Sequence, residues 1–211
     1  MLEATIETLY MTLVTTLFAY VIGLPLGFIL ILTQENGLYP KPKFHQALSL
    51  VINFLRSIPF IILLIMVMSV TRFIVGTTIG ATAMIVPLSI AAFPFVSRLV
   101  ESSLKEVDQG LIEAVLAMGA TNGQIMKEVY LKEALPSILN NLAIALSTIL
   151  GYSAMAGFVG GGGLGALAIN YGYYRNSLID MIPSVIILII LVQIFQDLPT
   201  RLSKKINRRK K

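Results

Sequence analysis

Five stretches of the chain, at about 9–32, 48–70, 74–97, 138–158 and 179–198, are predominantly apolar and almost free of charge. Each is long enough to cross the hydrocarbon of a bilayer, which takes about 20 apolar residues. In lipid the backbone must satisfy its own hydrogen bonds, so stretches of this kind fold as helices. The expected class is therefore all-α, a polytopic membrane protein with five transmembrane helices in one domain spanning residues 1–211. Composition agrees. Hydrophobic residues make up 56% and charged residues 13% of the chain, whereas soluble domains carry roughly 25% charged residues.

The placement of charge predicts orientation. No Lys or Arg precedes Lys41, and the tail holds Arg201, Lys204, Lys205, Arg208, Arg209, Lys210 and Lys211. With the C-terminus cytoplasmic and the N-terminus outside, only Arg72 and Arg175 fall on the outer side, as the positive-inside rule favours. The basic tail then reads as a topology signal and a contact for lipid headgroups. The net charge of +5 does not point to nucleic acid, because the basic residues flank apolar runs and form no basic domain with aromatic stacking residues. The first seven residues include Glu3 and Glu7 and lack the basic n-region of a secretory signal, so the first run is expected to be retained.

Few groups offer chemistry. Cys is absent and the one His, His45, sits alone in a loop; a metal centre needs several converging ligands. No catalytic constellation, metal site or cofactor site is expected. Apart from Arg56, no ionisable residue lies well inside a span, which sets the chain apart from proton- or ion-driven carriers. Arg56 itself has two readings. An arginine at a helix centre costs about 2.5–3.5 kcal/mol on insertion scales. Near the cytoplasmic end of span two it can snorkel to the interface, or it can line the inner mouth of a pathway. Pro25, Pro59, Pro87, Pro94 and Pro183 lie within the spans. Gly23 with Gly27, and Gly76 with Gly80, recur at the spacing that lets helices approach closely.

The longest polar segment, 98–135, carries four basic and six acidic residues. Within it Ile112, Val115, Leu116 and Gly119 follow a helical period, among the small residues Ala114, Ala117 and Ala120. A helix lying on lipid headgroups would carry Lys and Arg on its polar face; residues 106–124 have none, and three acids. The segment instead suits a short helix that enters a groove on a partner protein.

This loop resembles the EAA loop of permease subunits of ATP-binding-cassette (ABC) importers, in which Glu-Ala-Ala is followed after three residues by Gly. Here the sequence is Glu113-Ala114-Val115, then Leu116-Ala117-Met118, then Gly119. Val115 replaces the third motif residue. The later hydrophobic-x-Leu-Pro element reads Val129-Tyr130-Leu131-Lys132, with Leu135-Pro136 close by. Arg56-Ser57-Ile58-Pro59-Phe60, the run from Gly151 to Gly165, and Ala168-Ile169-Asn170-Tyr171-Gly172-Tyr173 are similar to the methionine-import branch of those permeases. The resemblance covers nearly the whole chain. It implies a homodimer, two copies of an ABC ATPase docked at Glu113, Ala114, Gly119 and Ala120, an extracytoplasmic methionine-binding lipoprotein, and import of D- or L-methionine by alternating access. The chain itself would not be an enzyme. The glycines at 160–163 and 165 are followed by no Lys and form no phosphate loop; they are expected to let the backbone turn at the outer surface. Met155, flexible and polarizable, is the candidate gate of the pathway, with helix packing as its other reading. A permease for another amino acid or an osmolyte, or a non-transporting membrane anchor for an ATPase, are the alternatives.

Overall fold

The computed structural model describes residues 1–207, so Arg208, Arg209, Lys210 and Lys211 of the basic tail lie outside the described residues. Among the described residues there is no strand. The chain opens with α1 (Leu2–Thr33), 32 residues and hence about 48 Å at 1.5 Å per residue. Then come α2 (Pro42–Ser57), α3 (Phe60–Val75) and α4 (Ala81–Lys105). A short α5 (Gln109–Ala117) follows. One turn of helix, α6 (Asn122–Gln124), runs through a π-helical stretch, Ile125–Tyr130, into α7 (Leu131–Ala156). The glycine run separates α7 from α8 (Gly163–Ile169), and α9 (Leu178–Asn207) closes the described chain.

Two of these boundaries differ from expectation. Span two is not one rod. It breaks at Ile58-Pro59 into α2 and α3, whose axes are bent by 104°. Pro59 is the N-cap of α3, where its missing N–H breaks no helical bond. With the bent pair taken as one crossing, five helical segments are long and apolar enough to cross a membrane; without it there are four. The polar segment 98–135 is also less of a loop than its charge suggested. Residues 98–105 continue α4, and residues from 122 onward already belong to the helix that becomes α7.

The α1–α4 pair is the most extensive helix contact. It is made by Gly23 and Gly27, against which Val96 and Val100 of α4 pack. A Cβ built on Gly27 would lie 2.6 Å from Val100 Cγ1 and 2.9 Å from the Ser97 carbonyl. Gly76 and Gly80 do something else. They have φ of +83° and +96° with nothing within 4 Å, so they shape the α3–α4 turn rather than a helix crossing.

Several polar side chains inside the bundle are tied to backbone. Thr8, Thr12 and Thr16 donate to the carbonyls four residues back at 2.9, 2.8 and 2.7 Å. Ser203 of α9 donates to the Pro136 carbonyl of α7 at 2.7 Å. Three apolar clusters result. One joins α1 and α4 to α5 and the start of α7; a second lies where α3 meets α4; a third is built on α7 and α9. Only 17% of the apolar window of α9 is buried, leaving a face for lipid or another chain.

Gly27→Val should lower the thermal unfolding midpoint of the purified protein, corresponding to about 1–3 kcal/mol of overpacking. Gly123→Ala, where a Cβ meets nothing within 4 Å, should leave the midpoint unchanged or slightly raised.

Candidate functional site

The α5 loop is fixed at both ends by its own sequence. Asp108 is the N-cap, its Oδ1 accepting from the Gly110 N–H at 2.7 Å. At the other end the Gly119 N–H donates to the Leu116 carbonyl at 2.9 Å and the Ala120 N–H to the Val115 carbonyl at 3.3 Å. With Gly119 at φ +86°, this is a Schellman motif, in which the left-handed residue is glycine because a Cβ is strained there. Thr121 and Gln124 then form a capping box that starts the next helix. The glycine of the motif is thus required first by the backbone.

The helical face is narrower than its sequence period predicts. Ile112 is buried against the core, and Val115 and Ala120 pack on the same cluster. Leu116 is exposed and Gly119 lies beyond the helix end. The free surface is made of Glu113, Ala114, Leu116, Ala117 and Met118, the last 77% exposed. A large exposed methionine beside two alanines and an acid is an unpartnered surface of small and flexible groups. Asn122 braces the loop from behind, donating to the Leu38 carbonyl at 3.3 Å.

A charged cluster at the end of α4 anchors this end of the bundle. Glu101 is 3% exposed and accepts from Arg98 at 2.6 Å and Lys105 at 2.7 Å. Arg98 also donates to the Ser49 carbonyl at 3.1 Å and to Asn53 Oδ1 at 3.0 Å, both on α2. Asn141 of α7 donates to Leu99 O and Ser103 Oγ. The last turns of α4 are therefore bonded to α2 and α7 at once. The i, i+3 and i+4 spacing of Arg98, Glu101 and Lys105 was the available signal; the burial of Glu101 was not visible in it.

Arg56 and Met155 lie on different elements. Arg56 ends α2 at the break and lines a cavity of about 150 Å³ with Phe60, Phe95 and Tyr152. Met155 is 49% exposed and sits one turn beyond Tyr152 on α7. Neither is near Glu113, Ala114, Gly119 or Ala120 in the chain or in that cavity.

The glycine run makes the turn expected of it. Gly160, Gly162 and Gly163 have φ of +83°, +78° and +74°. Its end is held by α1: the Gly163 N–H donates to Glu7 Oε2 at 2.7 Å and the Leu164 N–H to Thr8 Oγ1 at 2.9 Å. A carboxylate suits the free N–H groups that open a helix. Among the described residues no three His, Cys, Asp or Glu could hold a metal ion.

Residues 23–198 match the family of binding-protein-dependent transport system inner membrane components. The chain belongs to that family. It is a multi-pass inner-membrane transport component. Over 209 residues it is 49% identical to a probable D-methionine transport system permease of Vibrio cholerae, covering 99% of this chain and 93% of that protein. Over 206 residues it is 50% identical to the corresponding protein of Haemophilus influenzae, covering 98% and 97%. The fold is similar to a chain of the inward-facing MetNI methionine ABC transporter, with a TM-score of 0.95, 45% identity, and coverage of 97% of this chain and 95% of that one. An amino acid ABC transporter at 20% identity and a TM-score of 0.79 shares the fold alone.

Glu101→Gln should destabilise this family member by about 1–3 kcal/mol, since it leaves Arg98 short of its counter-charge. Lys105→Ala, at a half-exposed partner, should cost under about 1 kcal/mol. Thermal unfolding of the two variants side by side checks the order.

Proposed function

We propose that this chain is the permease subunit of an ABC importer for methionine. Two copies enclose the pathway, each docks one ATPase subunit on α5, and an external lipoprotein delivers D- or L-methionine. The observation that carries this reading is near-full-length identity of about half to proteins named as D-methionine permeases. The exposed surface at Glu113, Ala114 and Met118 supports it. The N-terminus is placed outside and the α5 loop in the cytoplasm, on the distribution of basic residues. ATP hydrolysis belongs to the partner.

ATP can favour an outward-facing state only through a difference in affinity between states. A docking element must therefore be stiff, and α5 is capped at both ends and pinned by Ile112. Movement of the docked ATPases shifts α5 as a body, and with it α4 and α7, to which its flanks are joined. Met155, exposed in the single protomer, would close the pathway against its copy in the second subunit.

Ala117→Trp places a bulky group on the free face without touching the Gly119 turn. It should abolish ATPase association while leaving the unfolding midpoint of the permease unchanged. Gly119→Trp should lose both, because it adds backbone strain; if Ala117→Trp still assembles and transports at the wild-type rate, α5 is not the docking site. With Cys introduced at 155, the two copies should cross-link in the assembled complex, and the absence of any cross-link would remove the gate assignment. In proteoliposomes with the ATPase and lipoprotein, methionine uptake should exceed that of other amino acids; equal uptake of another class would replace the cargo.

A further inference from the structure

Arg56, exposed on the single protomer, stands apart from part-buried Arg98. Arg98 has three bonded partners. Among the described residues Arg56 has no ion pair and no hydrogen bond. Its cavity is lined by Ala91 and Phe95 of α4, which lie 10 and 14 residues into the 25-residue helix. That is the middle of the bundle's central helix, one to two turns deeper than Arg98. Ionisable groups at that depth face a cavity and meet a counter-charge there.

The cavity has a built wall. Phe60, the first residue of α3, stacks on Tyr152 of α7 with ring centroids 4.5 Å apart and planes within 8°. Ile58 and Leu63 complete the apolar side. No Asp or Glu lines it. Its volume of about 150 Å³ far exceeds the roughly 10–15 Å³ that one water needs. One cation beside aromatic and aliphatic side chains fits a small molecule with one carboxylate and an apolar tail.

We infer that the cavity at the α2–α3 break is a carboxylate-binding station for the amino acid in transit, with Arg56 receiving the carboxylate and the Phe60–Tyr152 pair receiving the side chain. This rests on the methionine-importer reading. A guanidinium binds a carboxylate through paired N–H donors, and a thioether packs favourably at an aromatic edge. Since no carboxylate faces the cavity, the station reads the acid end of the substrate and not its amine. Binding there lies within the membrane and apart from the lipoprotein.

The test measures binding of radiolabelled methionine to the whole permease–ATPase complex in nanodiscs, without the lipoprotein, for the native chain, Arg56→Lys and Arg56→Gln. Arg56→Gln should remove one class of sites or weaken it by at least about tenfold, the effect of losing a hydrogen bond to a charged group. Arg56→Lys, which keeps the charge and loses the paired donors, should bind more weakly than the native chain and more tightly than Arg56→Gln. At the native sites 4-(methylthio)butanoate should compete with methionine and 3-(methylthio)propylamine should not. ATPase turnover of each variant reports that it is assembled. Methionine binding and competition unchanged by Arg56→Gln would overturn the station, as would equal competition by the amine. If Arg56 instead serves a lipid phosphate, Arg56→Gln will change thermal stability between anionic and zwitterionic nanodiscs and leave methionine binding intact, which also overturns it. Methionine uptake by the native complex with its lipoprotein separates the two readings. No uptake defeats the importer assignment; uptake with Arg56-independent binding defeats only the station.

Discussion

Hydrocarbon offers the backbone no hydrogen-bond partner, and the rest of the structure follows from that constraint. Every crossing is a helix. Several hydroxyls are taken up by backbone: Thr8, Thr12 and Thr16 of α1 bond to their own helix, and Ser203 of α9 reaches the Pro136 carbonyl of α7. The chain interrupts a helix inside the bundle at one place in the span-two region, Ile58-Pro59, and there the break opens on a cavity with a cation at its edge. Irregular backbone at membrane depth is tolerated where it lines such a space.

A second requirement is stiffness at the α5 end. A nine-residue helix is too short to be stable on propensity alone. It holds because Asp108 caps one end, a Schellman turn closes the other, and Ile112 is buried in the cluster that includes Val107, Ile125 and Tyr130. Glu101 makes the adjoining turns of α4 equally fixed. Burial of Glu101 is offset chiefly by Arg98, which is itself bonded to α2, with half-exposed Lys105 as a second contact, so the cluster specifies one geometry between α4 and α2.

Much of this was legible in the sequence. Apolar runs declare membrane helices because lipid penalises charge so heavily, and the Glu113–Gly119 spacing pointed to the short helix. What escaped was whatever depended on a neighbour. Gly23 with Gly27 and Gly76 with Gly80 have the same spacing, yet one pair is a helix crossing and the other two turn residues; only the position of α4 separates them. Pro59 resembles the other prolines, but its span breaks there, and Phe60 beside it stacks on Tyr152, almost a hundred residues away. Glu101 read as a loop acid because its burial comes from packing. Glu7 read as an end-of-chain charge, yet it holds the glycine turn at 163.

The two ends of the molecule meet on α4. Its last turns carry Glu101 and Arg98, which grip α2 at Ser49 and Asn53. Its middle carries Ala91 and Phe95, the wall of the Arg56 cavity. Arg56 is three residues beyond Asn53 on α2, one helical turn from the grip. The end of α4 is thus bonded to α2, while α3 packs on Met84 and Leu88 at the other end of α4. Ile58-Pro59 is the joint between these two attachments. The joint, Arg56 and the aromatic stack therefore occupy the same few residues, at one wall of a single cavity.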